Sequence, residues 1–213
     1  MFFKKSSEYG RSMIEMLGVL AIVGILSVGA IAGFQKAMMK HKINKLTEQY
    51  TFFIQEYLLL YRKDWLKLYK EKQQDVPLAP YMAAMGLPAG WKIKSTDSQF
   101  LLDSLGYSVI PFSKRSYIGF DFFIRQAGEN SNSDYELCRQ FLLNVIKPFE
   151  NDIHHVSLYQ PNNSSTSTIW YGIPYCDAER KCLANLKLEE VLPFCQRCST
   201  TDNSGRCVIA AQF

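Results

Sequence analysis

Residues 10–34 read GRSMIEMLGVLAIVGILSVGAIAGF, and this stretch decides the fold. No charged residue occurs between Met16 and Phe34. A helix over residues 16–34 spans roughly 28 Å, which is close to the hydrocarbon thickness of a bilayer. Leu, Ile, Val, Ala and Gly occupy nearly every face of that helix, so no polar stripe is left for water. The stretch therefore predicts a helix inserted in a membrane.

A cleaved secretory signal is the main alternative for this N-terminus. The apolar core of such a signal usually has about 7–15 residues, which is shorter than the run here. Residues 35–40, which follow the run, also offer no small-x-small cleavage site. We therefore expect the segment to remain as a membrane anchor.

Glu15 stands directly before the apolar run, and its chemistry has two interpretations. In the first, the carboxylate lies at headgroup level, where the helix dipole favours it by about 0.3–1 kcal/mol. In the second, a cut after Gly10 gives Arg11 a new α-amine, and the amine of a neighbouring subunit pairs with Glu15 inside the apolar layer. The residue chemistry alone leaves both interpretations open.

Two glycines of the run, Gly29 and Gly33, have the spacing that lets two membrane helices approach closely. Glycine is also frequent in membrane helices that have no such contact. The pair is therefore a candidate, and not yet evidence, for helix association.

The N-terminal residues resemble those of type IV pilins and of the pseudopilins of type II secretion systems. The resemblance covers residues 1–35: Lys4 and Lys5 in a short leader, then residues 10–17, then the apolar run. The family pattern is a basic leader ending in Gly, an apolar residue, a small hydroxyl residue, two apolar residues, Glu and a long apolar helix. This chain departs from the pattern at Arg11, where the family usually has Phe or Met.

The resemblance implies a processing route and a role. A membrane prepilin peptidase would cut between Gly10 and Arg11, the new N-terminus would be methylated, and Glu15 would set the register between subunits. The implied function is that of a structural subunit of a type IV pilus or a pseudopilus. Its partners would be copies of itself, other pilin-like subunits, the prepilin peptidase, the inner-membrane assembly platform and the lipid bilayer.

Basic residues flank the apolar helix on both sides: Lys4, Lys5 and Arg11 before it, and Lys36, Lys40, Lys42 and Lys45 after it. The positive-inside rule slightly favours a cytoplasmic C-terminal domain. The resemblance implies the reverse orientation, a single span in a bacterial inner membrane with the head in the periplasm, and on the cell surface or in a pseudopilus after assembly. Six cysteines after the span also favour an oxidising compartment, so we expect this second orientation.

Apolar residues continue beyond the run at spacings of three and four, at Ile43, Leu46, Tyr50, Phe53, Tyr57 and Leu60. The spacing predicts one helix from about Ser12 to about Gln73, ended by the Val76–Pro77 step, with a break between residues 61 and 67 as an alternative. Its many aromatic residues suit packing against a sheet. We divide the chain into a leader (1–10), a transmembrane and polymerisation helix (11–35), an amphipathic continuation (36–76) and a globular head domain (77–213).

The head domain is predicted to be α+β with an antiparallel sheet. Helices are expected at residues 98–105, capped by Asp97, at 133–146, opened by a Ser133–Glu136 capping box, and at 178–191. Strands are expected at 107–110, 117–124, 156–159, 168–173 and 208–211, with a polar loop at 161–167. The fold class is thus a long N-terminal helix packed on a sheet-containing head.

The six cysteines are Cys138, Cys176, Cys182, Cys195, Cys198 and Cys207. An even number in a translocated domain favours up to three disulfides, with 15 possible connectivities. Pilins often close a C-terminal loop with a disulfide, and the resemblance implies Cys198–Cys207 or Cys195–Cys207 for that loop. A zinc site and a redox-active Cys195-x-x-Cys198 dithiol are the alternatives, although the flanking sequence suits neither.

The remaining signals are weak. Adjacent His154 and His155 should point apart in a strand, and residues 201–205 resemble a turn more than a calcium loop. We expect no catalytic residue, metal or cofactor, and a net charge of +4 gives no reason to predict nucleic-acid binding. Two other functions stay open: a minor pilin or tip adhesin, and a single-pass anchored periplasmic protein with a redox CxxC.

Overall fold

The computed structural model describes residues 9–124, 133–160, 163–199 and 207–213. The chain divides into two compact units, residues 1–42 and residues 43–213. In the first unit every described residue is helical, and the helix is apolar and long enough to cross a membrane by length and composition. The second unit contains the sheet and the other helices.

The long helix α1 extends over Tyr9–Phe53 and continues as a π-helical turn over Ile54–Leu59. The backbone leaves helical geometry at Tyr61, and α2 follows over Arg62–Lys72. Gln73 ends α2 in the left-handed conformation, with φ 53°. The single predicted helix is therefore interrupted at Tyr61, within the range of the predicted alternative break. Its predicted end at about Gln73 is confirmed, because α2 ends at Lys72 and the Val76–Pro77 step forms a strand.

Among the described residues, an eight-stranded antiparallel sheet forms the centre of the second unit. The strands are β1 (Val76–Pro77), β2 (Lys92–Ile93), β3 (Leu101–Leu102), β4 (Ser108–Lys114), β5 (Tyr117–Phe123), β6 (His155–Gln160), β7 (Asn163–Tyr171) and β8 (Val208–Gln212). Their order is β2-β3-β4-β5-β8-β6-β7, and β1 pairs with β4. The last strand of the chain thus lies between β5 and β6. This sheet and the long N-terminal helix confirm the predicted α+β class.

The other helical segments are α3 (Ala79–Met85), α4 (Ser133–Gln140) and α5 (Leu188–Ser199). A π-helical turn over Phe141–Ile146 and a 3-10 turn over Lys147–Phe149 extend α4. Two further 3-10 turns cover Ile173–Tyr175 and Leu183–Asn185.

Aromatic side chains from α1 and the sheet build the core. Tyr50 is fully buried, and its ring centroid lies 4.9 Å from that of Phe141 and 5.1 Å from that of Phe122. The ring centroid of Phe53 lies 5.8 Å from that of Phe120, which is on the same face of β5 as Phe122. Successive side chains of a strand alternate between its two faces, so Phe120 and Phe122 lie on the same face of β5, toward the helix. The predicted packing of this part of the helix against a sheet is confirmed.

Three predicted elements of the head are wrong. Residues 101–102 of the expected 98–105 helix are β3, and Asp97 Oδ1 accepts the Gln99 N–H in a turn instead of capping a helix. Strand β7 begins at Asn163, inside the expected polar loop, because Asn163 pairs with Gln160 of β6. The helix expected at 178–191 lies later, at Leu188–Ser199.

Candidate functional site

The apolar stretch of α1 presents its side chains outward. Large apolar side chains between Met13 and Phe34 are 52% to 75% exposed within the chain. An exposed apolar surface of this extent marks a membrane or protein contact. The one hydroxyl of the run, Ser27, donates to the Val23 carbonyl at 2.7 Å, so its polar group is satisfied inside the helix.

The predicted processing and assembly residues all fall on this helix. Gly10 lies one residue after the start of α1, and Glu15 is exposed in its second turn. Arg11 is helical, but its side chain lies outside the described residues. A Cβ built on Gly29 or Gly33 would meet nothing within 4 Å, so the space beside this pair is open. The geometry lets another helix approach there.

A buried hydrogen bond links α1 to the loop after β3. The Tyr50 hydroxyl donates to Asp103 Oδ2 at 3.1 Å, and Asp103 Oδ1 accepts the backbone N–H groups of Leu105 and Tyr107 at 2.8 and 2.9 Å. Burial raises the pKa of Asp103, while these donors lower it. Burial and the neighbouring carboxylate also raise the pKa of Tyr50. The arrangement fixes the loop and has no exposed reacting group.

A second carboxyl lies on the opposite face of the sheet. Asp121 of β5 faces Ala210 of β8, and Ser157 of β6 lies beyond it. The small Ala210 side chain leaves room for the Tyr159 hydroxyl to donate to Asp121 Oδ2 at 3.2 Å. Burial raises the pKa of Asp121 to about 6, although the Tyr159 hydrogen bond and Lys114 lower it. The single acid in the apolar strand YIGFDFF is a sequence signal for this contact that the motif patterns above do not include.

The two adjacent histidines point toward each other, so the prediction that they point apart is wrong. Their Nδ1 atoms are 2.7 Å apart. His154 lies in a bend before β6, where the alternation of a strand does not apply. Tyr117 and Tyr175 pack on the His154 ring with centroid distances of 4.5 and 4.4 Å. Burial lowers the pKa of His154, and the positive charges of Arg180 and Arg62 lower it further. Burial also lowers the pKa of His155, with a smaller contribution from the charge of His154.

Disulfides join four of the candidate cysteines in two pairs, Cys138–Cys195 and Cys176–Cys182. The first pairing is incompatible with the Cys195–Cys207 alternative and with a Cys195–Cys198 redox pair. Cys207 is also disulfide-bonded, while the Cys198 side chain lies outside the described residues, so the Cys198–Cys207 loop stays a prediction. The expected turn at residues 201–205 likewise lies outside them.

No protein-family model, curated protein or solved structure matches this chain.

Proposed function

We propose that the protein is a pilin-like structural subunit, which is held in a bacterial inner membrane by α1 and assembles through that helix into a type IV pilus or a pseudopilus. Prepilin peptidase would remove residues 1–10 before assembly. The observation that carries the proposal is Glu15, a lone carboxylate five residues after Gly10 and directly before an outward-facing apolar surface.

The energetics of the helix support assembly. Burial of apolar side chains stabilises by about 25 cal/mol for each Å² removed from water, so the exposed surface of residues 13–34 requires lipid or neighbouring subunits. A carboxylate among these side chains is costly in lipid, and a positive partner on a neighbouring subunit offsets that cost. The new α-amine of a processed subunit is such a partner.

The C-terminal end of α1 and the π-helical turn that follows it favour a subunit with a head domain, and not a simple membrane anchor. Leu46, Tyr50, Phe53, Ile54 and Leu58 are at most 2% exposed and belong to the head's core. The head therefore folds around the end of α1. The anchored redox protein is the weaker candidate, because the Cys195 thiol that it requires is bonded to Cys138 and buried.

Glu15→Ala tests the assembly role. The variant should be cut normally but enter sheared surface filaments several-fold less than the unaltered chain, because subunit pairing loses its charge partner. Glu48→Ala, which removes an exposed carboxylate of the same helix in the second unit, is the matched control and should assemble normally. Filament yields measured by immunoblot that are equal for both variants would contradict the role of Glu15. The abundance of the unaltered chain in the filaments distinguishes a major subunit from a minor pilin or tip adhesin.

Gly10→Val tests the cut site. We expect it to abolish the mass loss of the leader, because a branched side chain stands at the scissile bond. Gly18→Ala is the control, since a Cβ there meets nothing within 4 Å. Intact-mass spectrometry of the unaltered protein should find a chain beginning at Arg11. An unaltered chain that still begins at Met1 and never appears in filaments would overturn the proposed function as a whole.

A further inference from the structure

The loop of residues 172–182, which the Cys176–Cys182 disulfide closes, packs against His154. The ring of Tyr175 in this loop lies on the His154 ring, with the two centroids 4.4 Å apart. The backbone N–H of Gly172 donates to the His154 carbonyl at 3.2 Å. The position of the His154 ring therefore affects how this end of the loop packs on the sheet.

The hydrogen bond between His154 and His155 limits how many protons the two rings can hold. Their Nδ1 atoms are 2.7 Å apart, so one Nδ1 carries a proton and the other accepts it. A first added proton can bind at a free Nε2 atom and leave this bond intact. A second added proton must bind at the accepting Nδ1, and two N–H groups would then point at each other. The doubly charged pair therefore cannot keep the observed geometry.

The charges around the pair oppose protonation. Burial lowers the pKa of His154, and the positive charges of Arg180 and Arg62 lower it further. Burial and the charge of His154 lower the pKa of His155. The nearby carboxylate of Asp177 lies 3.4 Å from Arg180 Nε and is paired with that cation. The other titratable groups that pack on the pair are phenols, which carry no charge in acid: Tyr117, Tyr171 and Tyr175.

We propose that the His154–His155 pair is a pH-sensitive latch for the 172–182 loop, independent of the proposed assembly function. At neutral pH the Nδ1–Nδ1 hydrogen bond holds the His154 ring in place, and Tyr175 packs on that ring. In acid the second added proton breaks the bond, and the two like charges move the rings apart. The open loop can bind a proton that the closed loop excludes, so a falling pH favours opening.

The other end of the loop has contacts that do not depend on the histidine hydrogen bond. The Tyr171 N–H donates to the Lys181 carbonyl at 2.8 Å, and the Arg180 guanidinium lies 5.3 Å from the centroid of the Tyr171 ring. The Cys176–Cys182 disulfide also keeps the loop closed on itself. We therefore expect acid to open the loop locally at Tyr175 and to leave the sheet folded.

Nuclear magnetic resonance of the histidine rings in the purified full-length protein, in detergent, tests how the pair binds protons. His41 is the third histidine of the chain and is exposed on α1, so it is the internal control. We expect one titration step for His41 and two separate steps for the pair, because the second proton meets the charge of the first. His154→Gln should leave His155 with one step. A single step common to both histidines of the unaltered pair would overturn the proposal.

Hydrogen exchange measured by mass spectrometry tests the latch itself. Exchange of peptides that cover residues 172–176, divided by the intrinsic rate at each pH, should rise several-fold between about pH 7.5 and about pH 5. Peptides of α4 should not change. The rise should be absent in both His154→Gln and His155→Gln, since neither variant can place two charges on the pair. His41→Gln is the matched control and should retain the rise.

Circular dichroism should verify the fold of each variant, and if one Gln variant misfolds, the other variant and the resonance titration decide. The latch is overturned if the unaltered loop shows no rise in exchange, if the rise persists in a folded His154→Gln or His155→Gln protein, or if His41→Gln abolishes it. Each of these results would mean that the histidine pair is a static hydrogen bond. None of them would affect the assembly proposal, which rests on Glu15 and α1.

Discussion

Asp121 illustrates how one residue can set a pH dependence for the whole head. Its carboxyl is partly shielded from water on the sheet and has a pKa of about 6, against an ordinary value of 3.8. Between about pH 4 and pH 6 the unfolded chain releases this proton while the folded chain retains it. Ionisation therefore favours unfolding in that window, and the stability of the head should fall as the pH rises through it and then level off.

Asp121→Asn should remove this contribution. The amide oxygen still accepts the Tyr159 hydroxyl, and no charge has to be desolvated, so at pH 7 the variant should be more stable by about 3 kcal/mol. At pH 4 the two proteins should be nearly equal. Chemical unfolding at a series of pH values measures this, with Asp152→Asn as the exposed control. A variant less stable than the parent at pH 7 would mean that the ionised carboxylate stabilises the fold.

The two described disulfides close chain loops of very different length. Cys138 of α4 and Cys195 of α5 are separated by 57 residues, whereas Cys176 and Cys182 are separated by 6. Closing a longer loop removes more entropy from the unfolded chain. The α4–α5 bridge is therefore expected to contribute most of the covalent stabilisation.

Paired substitutions compare the two bridges directly. The chain-entropy relation gives about 4 kcal/mol for Cys138→Ala with Cys195→Ala, and about 2 kcal/mol for Cys176→Ala with Cys182→Ala. The buried position of Cys138 and Cys195 adds a cavity cost to the first pair. Denaturant unfolding at one pH provides both values. An equal or larger loss from the Cys176–Cys182 pair would show that loop length does not govern these bridges.

Local patterns predict some elements and fail for others, for identifiable reasons. The apolar spacing of α1 acts within one segment and predicts a helix, and the run of apolar and aromatic residues at 117–124 likewise predicts the strand β5. The sequence predicts a helix cap at Asp97 because caps and turns use the same side-chain oxygen, and only the pairing of β3 with β4 selects the turn. Local composition predicts a loop at Asn163, but pairing with Gln160 of β6 extends the strand.

For the whole molecule, the predictable part of the candidate site is the part that is contiguous in sequence. Gly10, Glu15 and the apolar run lie on one helix, so their spacing could be read directly. The Asp121–Tyr159 contact depends on β8, the last strand, lying between β5 and β6, and nothing local to those strands encodes that order. The same holds for Cys138–Cys195, because the sequence allowed many pairings.

Two physical rules predict opposite membrane orientations for the whole molecule. Four lysines that follow the apolar run favour a cytoplasmic head, while the head's disulfides favour an oxidising compartment. We expect the periplasmic orientation, because disulfides seldom persist against cytosolic reductants. Protease added to spheroplasts should therefore degrade the head, and intact cells, whose outer membrane excludes the protease, are the control for unassembled subunits. A head that survives in spheroplasts and has alkylatable Cys138 and Cys195 would place it in the cytoplasm, and the pilin-like proposal would fail with it.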